Sequence, residues 1–175
     1  MIYKDLEFEI LFSKRKTIAI EVGRDLSVRV KAPRFTPSKI ILDFVKSRYE
    51  WIKNAKIKQA KKAQIYDISK SQLDELKNQA KRYIPKRVEF FSKIMQLYPT
   101  AVKINTAKTR FGSCSGKNSL NFSAFLMLFP LEAVDYVVVH ELAHIKHRNH
   151  QKEFYSLIER YLPDYKSRAA LLKIK

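Results

Sequence analysis

The first third of the chain has the pattern of hydrophobic and polar positions that is typical of half-buried β-strands. Apolar residues occupy every second position from Leu6 to Ile10, which is the period of a strand with one buried face. Two further strands are predicted over 17–22 and 26–30, with a three-residue hairpin loop at 23–25 between them. The N-terminal segment is therefore predicted to form a β-meander.

After these strands the apolar period changes to that of a helix. Thr36 and Pro37 predict a helix start, with Thr36 as the N-cap and Pro37 in the first turn. The apolar stripe of this helix reaches Ile52 and fades into a run of lysines by Ala60. We expect one long basic helix with a poorly buried end.

A second helix is predicted to begin at Ser71, because Asp74 follows it at the spacing of a helix start. Its apolar positions continue to Met95. Pro85 lies inside this pattern, and proline removes a backbone hydrogen bond, so we expect a kink or a break near residues 82–84.

Three short strand candidates, at 102–104, 109–111 and 120–122, precede a last helical pattern that begins at Leu131. This order predicts an α+β fold with a small antiparallel sheet before the last long helix, and with helices over one face of the sheet.

The domain organisation follows from these segments. Residues 1–66 are predicted to hold the β-meander and the basic helix, and residues 67–175 are predicted to hold the functional core. At 175 residues in total, we expect the two parts to pack as one compact unit.

Composition excludes several classes of protein. The apolar share of 46% is that of a folded domain. The longest apolar run, Ala124 to Leu131, has eight residues, whereas a membrane span needs about 20. The N-terminal residues carry acids where a signal peptide has an apolar stretch, and the single Cys114 cannot form an internal disulfide. These observations favour a cytoplasmic location.

The formal net charge is +18, and residues 46–94 hold half of the excess, with fourteen basic and five acidic groups. The lysines concentrate within residues 46–63: Lys53, Lys56, Lys58, Lys61 and Lys62. Such a field attracts nucleic acid, anionic membrane or acidic protein. A solvated helix face is the simpler interpretation, since no base-reading motif accompanies the lysines, and nucleic acid is the alternative partner.

The strongest chemical signal is a histidine motif. All four histidines lie within eleven residues. His140 and His144 are four residues apart, so they project from one face of a helix and can share one Zn²⁺ ion. Glu141, between them, can hold a metal-activated water and take its proton as a general base. The motif predicts a zinc-dependent hydrolase.

A catalytic zinc needs a third protein ligand and one open position. His147 would lie about 10.5 Å along a continuous helix from His140, too far to share one ion. His150 can return to the ion if the helix ends near His147, and Asn149 tolerates the left-handed backbone of such a turn. We predict His150 as the third ligand, with Glu153 as the alternative, and place His147 at the rim or in support of a ligand.

Several short segments together form a pattern that is more specific than the histidine motif: Arg110 to Ser115, Leu120 to Phe122, Asp135 to His144, Asn149-His150, and Phe154. In these residues the chain resembles the YgjP-like family of zinc metallopeptidases, which are similar to the SprT-like and WLM peptidases. The resemblance covers about residues 70–170 and is looser over the N-terminal strands.

The resemblance implies a zincin-type active-site helix, a zinc ion on His140, His144 and His150, catalysis by Glu141, and a peptide or protein substrate. The chain departs from the family in having Phe111 where relatives usually carry tryptophan. It also carries Gln-Lys after the last histidine, where Ser-Pro is more usual in the family.

Other candidates leave alternatives open. Arg110 is suited to bind a substrate carboxylate or carbonyl, or to form a salt bridge with Asp135 or Glu132. Asn121 is a candidate for a hydrogen bond to a peptide backbone. Three interpretations stay open for Cys114: a fourth metal ligand, a redox-sensitive thiol or, more simply, a small packed residue.

The function predicted from the sequence is zinc-dependent hydrolysis of peptide bonds by a metal-activated water, with Glu141 as the general base. Two alternatives come from other classes. One is a basic module associated with nucleic acid, whose metal site is structural or acts on DNA-bound protein. The other is a folded metal-binding scaffold without activity.

Overall fold

The computed structural model describes residues 1–173, apart from the side chain of residue 62. Lys62, one of the lysines of the predicted basic segment, therefore lies outside the described residues. Within residues 1–173 the contacts divide the chain into two units, Met1–Asp67 and Ile68–Lys173. No helix of this described part is both long and apolar enough to cross a membrane.

The N-terminal unit contains five short strands: β1 (Ile2–Tyr3), β2 (Leu6–Glu7), β3 (Glu9–Ser13), β4 (Ala19–Val22) and β5 (Val28–Pro33). β1 and β2 pair with each other, and β5 is the centre of a sheet with β3 parallel and β4 antiparallel to it. The predicted β-meander is wrong, because neighbouring strands of a meander are all antiparallel, whereas β3 and β5 are parallel. Alternation shows which face a strand buries but not which strand it pairs with.

The predicted hairpin between β4 and β5 is confirmed, but its loop spans residues 23–27 rather than 23–25. The Asp25 carboxylate accepts hydrogen bonds from the amide and the hydroxyl of Ser27. The Gly23 amide donates to the Ser27 carbonyl. These bonds close a wider loop than the one predicted.

Two helices, α1 (Ser38–Ser47) and α2 (Tyr49–Ile65), replace the single long helix that the sequence predicts. They are separated at Arg48, whose backbone leaves helical geometry. The Ser47 hydroxyl donates to the Phe44 carbonyl, which offers the backbone a local alternative to the helical bond.

The start of α1 also differs from its prediction. Pro37 is the N-cap, and the Thr36 hydroxyl donates backward to the Pro33 carbonyl instead of capping the helix. The core of this unit joins Ile41 and Val45 of α1 to the buried face of the sheet, and also includes Ile52 of α2.

The second unit contains a three-stranded sheet and four α-helices: α3 (Lys70–Met95), β6 (Ala101–Asn105), β7 (Gly112–Cys114), β8 (Ser119–Ser123), a 3-10 helix (Ala124–Leu128), α4 (Leu131–Lys146), α5 (Lys152–Tyr161) and α6 (Tyr165–Leu171). This mixture of helices and small sheets is the predicted α+β class. The helix predicted to begin at Leu131 is confirmed.

The sheet of this unit is mixed, so the prediction of an antiparallel sheet is wrong. β8 is central, β6 pairs with it in parallel, and β7 pairs with it antiparallel. The strand predicted at 109–111 instead lies at β7, because residues 106–111 form the connection that crosses from one edge of the sheet to the other.

Helix α3 begins two residues earlier than predicted. Ser69, not Ser71, is the N-cap, and Ser69 and Gln72 form a reciprocal capping box. Each side chain accepts from the backbone amide of the other residue, so two amides without helical partners are satisfied.

No break occurs at Pro85, and α3 continues through it to Met95. Proline inside a helix costs about 3 kcal/mol. Ala80, Ile84 and Val88 are buried on either side of it, and we attribute the continuity of the helix to this packing.

Helix α4 occupies the middle of the second unit and contacts α3, α5, α6 and β7. A bidentate ion pair joins it to α3: Arg87 donates to Asp135 at 2.6 and 2.8 Å. Arg168 of α6 lies 3.8 Å from the same carboxylate. The Asp135 carboxylate raises the pKa of Arg87 through the hydrogen bonds. Together the three side chains connect α3, α4 and α6.

We predict that Asp135→Asn destabilises the protein. Removing one partner of a buried pair costs about 3–5 kcal/mol, and the Arg87 side chain is 27% exposed, so we expect a loss of about 2 kcal/mol in the free energy of unfolding. Urea denaturation measures it. Glu89→Gln, which removes an exposed pair on α3, is the control and should cost much less, because exposed ion pairs contribute little to stability. Equal losses would contradict the prediction.

Candidate active site

Helix α4 fixes two of the histidines. Val137, Val138 and Val139 precede them, and β-branched residues are weak helix formers. All three valines are buried, so burial rather than intrinsic propensity stabilises this part of the helix. One turn of helix then places the His140 and His144 rings with their centroids 4.9 Å apart.

The third histidine returns to this pair from outside the helix. α4 ends at Lys146, and its C-cap, His147, has extended backbone. Asn149 does not take the left-handed conformation that we expected, since it is absent from the described residues with positive φ. His150 Nε2 nevertheless lies 3.1 Å from His140 Nε2. The structure thus brings together the three histidines that the sequence selects.

A buried phenylalanine of α5 lies against all three imidazoles. The Phe154 ring centroid is 4.9 Å from that of His140, 4.6 Å from that of His144 and 4.8 Å from that of His150. Phe154 is fully buried. It therefore forms an apolar floor that limits where the three rings can move.

Hydrogen bonds orient two of the rings. His144 Nδ1 lies 3.0 Å from the His147 carbonyl, and because a carbonyl only accepts, Nδ1 carries the proton and Nε2 keeps its lone pair. His140 Nδ1 lies 3.4 Å from the Tyr136 hydroxyl. Partners of this kind fix the tautomer and the orientation of metal-binding histidines.

The surroundings keep these imidazoles neutral. Burial lowers the pKa of His140 to about 3, with His144 and His150 adding to the effect. Burial also lowers the pKa of His144, against the opposing bond to the His147 carbonyl. The neutral form carries the free lone pair that a metal ion requires.

The cluster fits a divalent metal ion. One nitrogen of each histidine lies within 4.8 Å of the others. Two nitrogens on one tetrahedral zinc, each at 2.0–2.1 Å, are roughly 3.3–3.4 Å apart, close to the 3.1 Å between His140 and His150. Three imidazoles form a donor set suited to zinc and neighbouring transition metals.

Glu141 lies in a cleft of about 340 Å³ beside this cluster, which is also lined by β7 and Arg148. The carboxylate is 6% exposed, and burial raises the pKa of Glu141 to about 7, against the charge of Arg110. An acid with a pKa near neutrality can both accept and release a proton.

β7 approaches this carboxylate closely because residue 112 is a glycine. A Cβ on Gly112 would lie 2.5 Å from Glu141 Oε1 and 2.6 Å from its Cγ. Such distances leave no room for a side chain, so glycine at this position sets the position of Glu141 in the cleft.

The other predicted residues are placed differently. Arg110 is exposed and affects Glu141 through its charge. Of the alternatives left open for Arg110, the salt bridge to Asp135 is not formed, because Asp135 pairs with Arg87; no ion pair between Arg110 and Glu132 is found among the described residues either. Asn121 of β8 pairs in register with Ser113 and does not line the cleft.

The remaining histidine stands outside the cluster. The His147 side chain lines a separate cleft together with Glu153, the alternative third ligand, while its backbone carbonyl orients His144. Cys114 lines the active-site cleft but is not in the cluster. Burial raises the pKa of its thiol.

Two residues of the site carry no clear signal in the sequence. Arg148 reaches acceptors that lie 30 to 34 positions earlier in the chain, a distance at which no local pattern operates. Gly112 resembles an ordinary turn glycine, and only its neighbour in space shows why a side chain is excluded. Tyr136, by contrast, lies four residues before His140, and this spacing on a helix is a signal for the contact with the His140 ring.

Comparisons with known proteins find one family model and two solved structures that resemble this chain. A family model described as "YgjP-like, metallopeptidase domain" matches residues 64–175. The metallopeptidase zymogen abylysin of Pyrococcus abyssi is 22% identical, with 50% of this chain and 89% of that chain covered and a TM-score of 0.46. The metallopeptidase zymogen jannalysin of Methanocaldococcus jannaschii is 20% identical, with 50% of this chain and 93% of that chain covered and a TM-score of 0.44. No curated protein matches the chain.

The family match spans more than half of the chain and includes the histidine cluster and Glu141. It confirms the resemblance that the motifs indicate. It also confirms the interpretation as a hydrolase that depends on a metal ion and acts on peptides or proteins. The chain therefore belongs to the YgjP-like metallopeptidase family.

Proposed function

We propose that this protein hydrolyses peptide bonds with a zinc ion held by His140, His144 and His150 and with Glu141 as the general base. One observation carries the proposal: three imidazole nitrogens converge within 4.8 Å of one another, and the cleft beside them contains a buried carboxylate. With three protein ligands, a tetrahedral ion keeps one position for substrate or water, as catalytic zinc sites do.

The metal and the carboxylate divide the chemistry. When bound, the ion supplies Lewis acidity, which polarises the scissile carbonyl and makes water more acidic. Glu141 accepts the proton of the attacking water and delivers it to the leaving amine. Burial keeps this carboxylate away from bulk water, and its contact with Gly112 fixes its position between strand and cluster.

An edge strand supplies a binding surface for the substrate. β7 lies at one edge of its sheet, and all three of its residues line the cleft that contains Glu141. Among the described strands, only β8 pairs with β7. An extended peptide can add to such an edge through backbone hydrogen bonds, so we propose that the substrate binds as an additional strand along β7.

The alternative partner depends on the basic segment 46–63. Lys53, Lys58 and Lys61 of α2 are exposed, which suits a solvated helix face and a contact with nucleic acid equally. Binding of nucleic acid, like the cytoplasmic location, stays a prediction. The peptidase proposal needs neither of them.

We predict that Gly112→Ala lowers activity without removing the metal. The added Cβ would displace Glu141, and a misplacement of about 1 Å reduces the rate roughly 10²-fold. Peptide cleavage and metal content measure the two effects. Gly116→Ala is the matched control, because a Cβ there meets nothing within 4 Å. Equal activity of the two variants would mean that the position of Glu141 is not critical.

We predict that His150→Ala lowers zinc affinity far more than His147→Ala. His150 belongs to the cluster, whereas the His147 side chain faces another cleft and contributes only its carbonyl, which the substitution keeps. Competition with a chelator measures the affinities. Similar losses in both variants would show that the third ligand is assigned wrongly.

We predict that Glu141→Gln retains zinc and the fold but loses hydrolysis. Glutamine keeps the size of the side chain and removes its basic oxygen. A general base contributes about 10²–10⁴-fold, so the rate of peptide cleavage should fall by at least that range. Loss of zinc in this variant would make Glu141 a ligand or a structural residue. Full activity would refute the hydrolytic mechanism.

A further inference from the structure

Arg148 connects the segment of the third histidine to the sheet. It lies between the end of α4 and the start of α5, two residues before His150. Its guanidinium donates to the Ser115 carbonyl at 2.8 Å, to Cys114 Sγ at 3.4 Å and to the side-chain oxygen of Asn118. The end of β7 and the turn that follows it thus receive at least three hydrogen bonds from one side chain.

The position of His150 needs such a connection. His140 and His144 are fixed by one turn of α4, but residues 147–150 belong to no helix or strand. His150 is also exposed, and burial does not hold its backbone. Its ring must still stay within reach of His140 for both nitrogens to bind one ion.

The turn that receives Arg148 is itself well defined. Asn118 adopts the left-handed conformation, with φ 59°, which asparagine tolerates better than most residues. The amides of Asn118 and Ser119 donate to the carbonyl and hydroxyl of Ser115. Arg148 therefore binds to a fixed turn, and its planar group of five donors suits several acceptors at once.

We propose that Arg148 is a positioning residue, which sets metal affinity by holding His150 against the β7–β8 turn. The inference rests on the proposed metal site. The same strand and turn then place both functional groups of the cleft: Gly112 admits Glu141, and the turn holds His150 through Arg148.

The test measures zinc affinity by chelator competition and the visible spectrum of the cobalt-substituted protein, which reports ligand number and geometry. For Arg148→Gln we expect a loss of about 10- to 100-fold in zinc affinity and a changed cobalt spectrum. Arg148→Lys keeps the charge but loses the planar group of five donors, so its zinc affinity should stay close to that of Arg148→Gln. Arg160→Gln removes an exposed arginine of α5 and should change neither readout.

Two further variants test the route of the effect. Asn118→Gly removes one acceptor, tolerates the left-handed backbone and should produce a smaller loss of the same kind. In a His150→Ala background, Arg148→Gln should have no further effect, because its action passes through His150.

Three results separate the possibilities. If the wild type binds no zinc, the proposed metal site itself fails. If the wild type binds zinc and Arg148→Gln binds it equally well, only the positioning role is overturned. The positioning role is also overturned if Arg148→Gln reduces zinc affinity as much in the His150→Ala background as it does in the wild type. Should Arg148→Gln not fold, Arg148→Lys and Asn118→Gly decide by the same criteria.

Discussion

The burial of helix α4 is the constraint on which the rest of the second unit depends. Its three consecutive valines are poor helix formers, yet all three are buried, in a helix that contacts α3, α5, α6 and β7. A helix held in this way carries its polar residues into an apolar environment, where each needs a partner or loses its charge. Asp135 finds Arg87, His144 finds a carbonyl, and His140 stays neutral.

The parts of the site that lie close together in sequence were predictable, and the parts that meet only in space were not. The pairing of His140 with His144 follows from the geometry of any helix, which places residues four apart on one face. The expected end of the helix near His147 indicated His150 as the third ligand. The role of Arg148 depends on a turn some 30 residues earlier. The partner of Asp135 was likewise left open, because sequence patterns do not show which of several arginines is near, and the structure pairs Asp135 with Arg87.

The fold shows the same division. Strands β4, β5, β6 and β8, the hairpin of β4 and β5, and the helix from Leu131 follow from local periodicity. Strand pairing does not, because alternation is the same for a parallel and an antiparallel neighbour. Helix continuity across Pro85 also depends on packing, since burial on both sides of the proline opposes a penalty that acts locally.

The error in the sheet has a consequence for the site. An antiparallel meander would place β7 between β6 and β8, with both of its edges paired. In the structure the connection over 106–111 crosses the sheet, and β7 becomes an edge strand. Gly112 then lies directly against Glu141 in the cleft, while the outer edge of β7 is not paired by a described strand. The crossing connection thus lets one three-residue strand lie against the carboxylate and also leave an edge open, which is the edge along which we propose that the substrate binds.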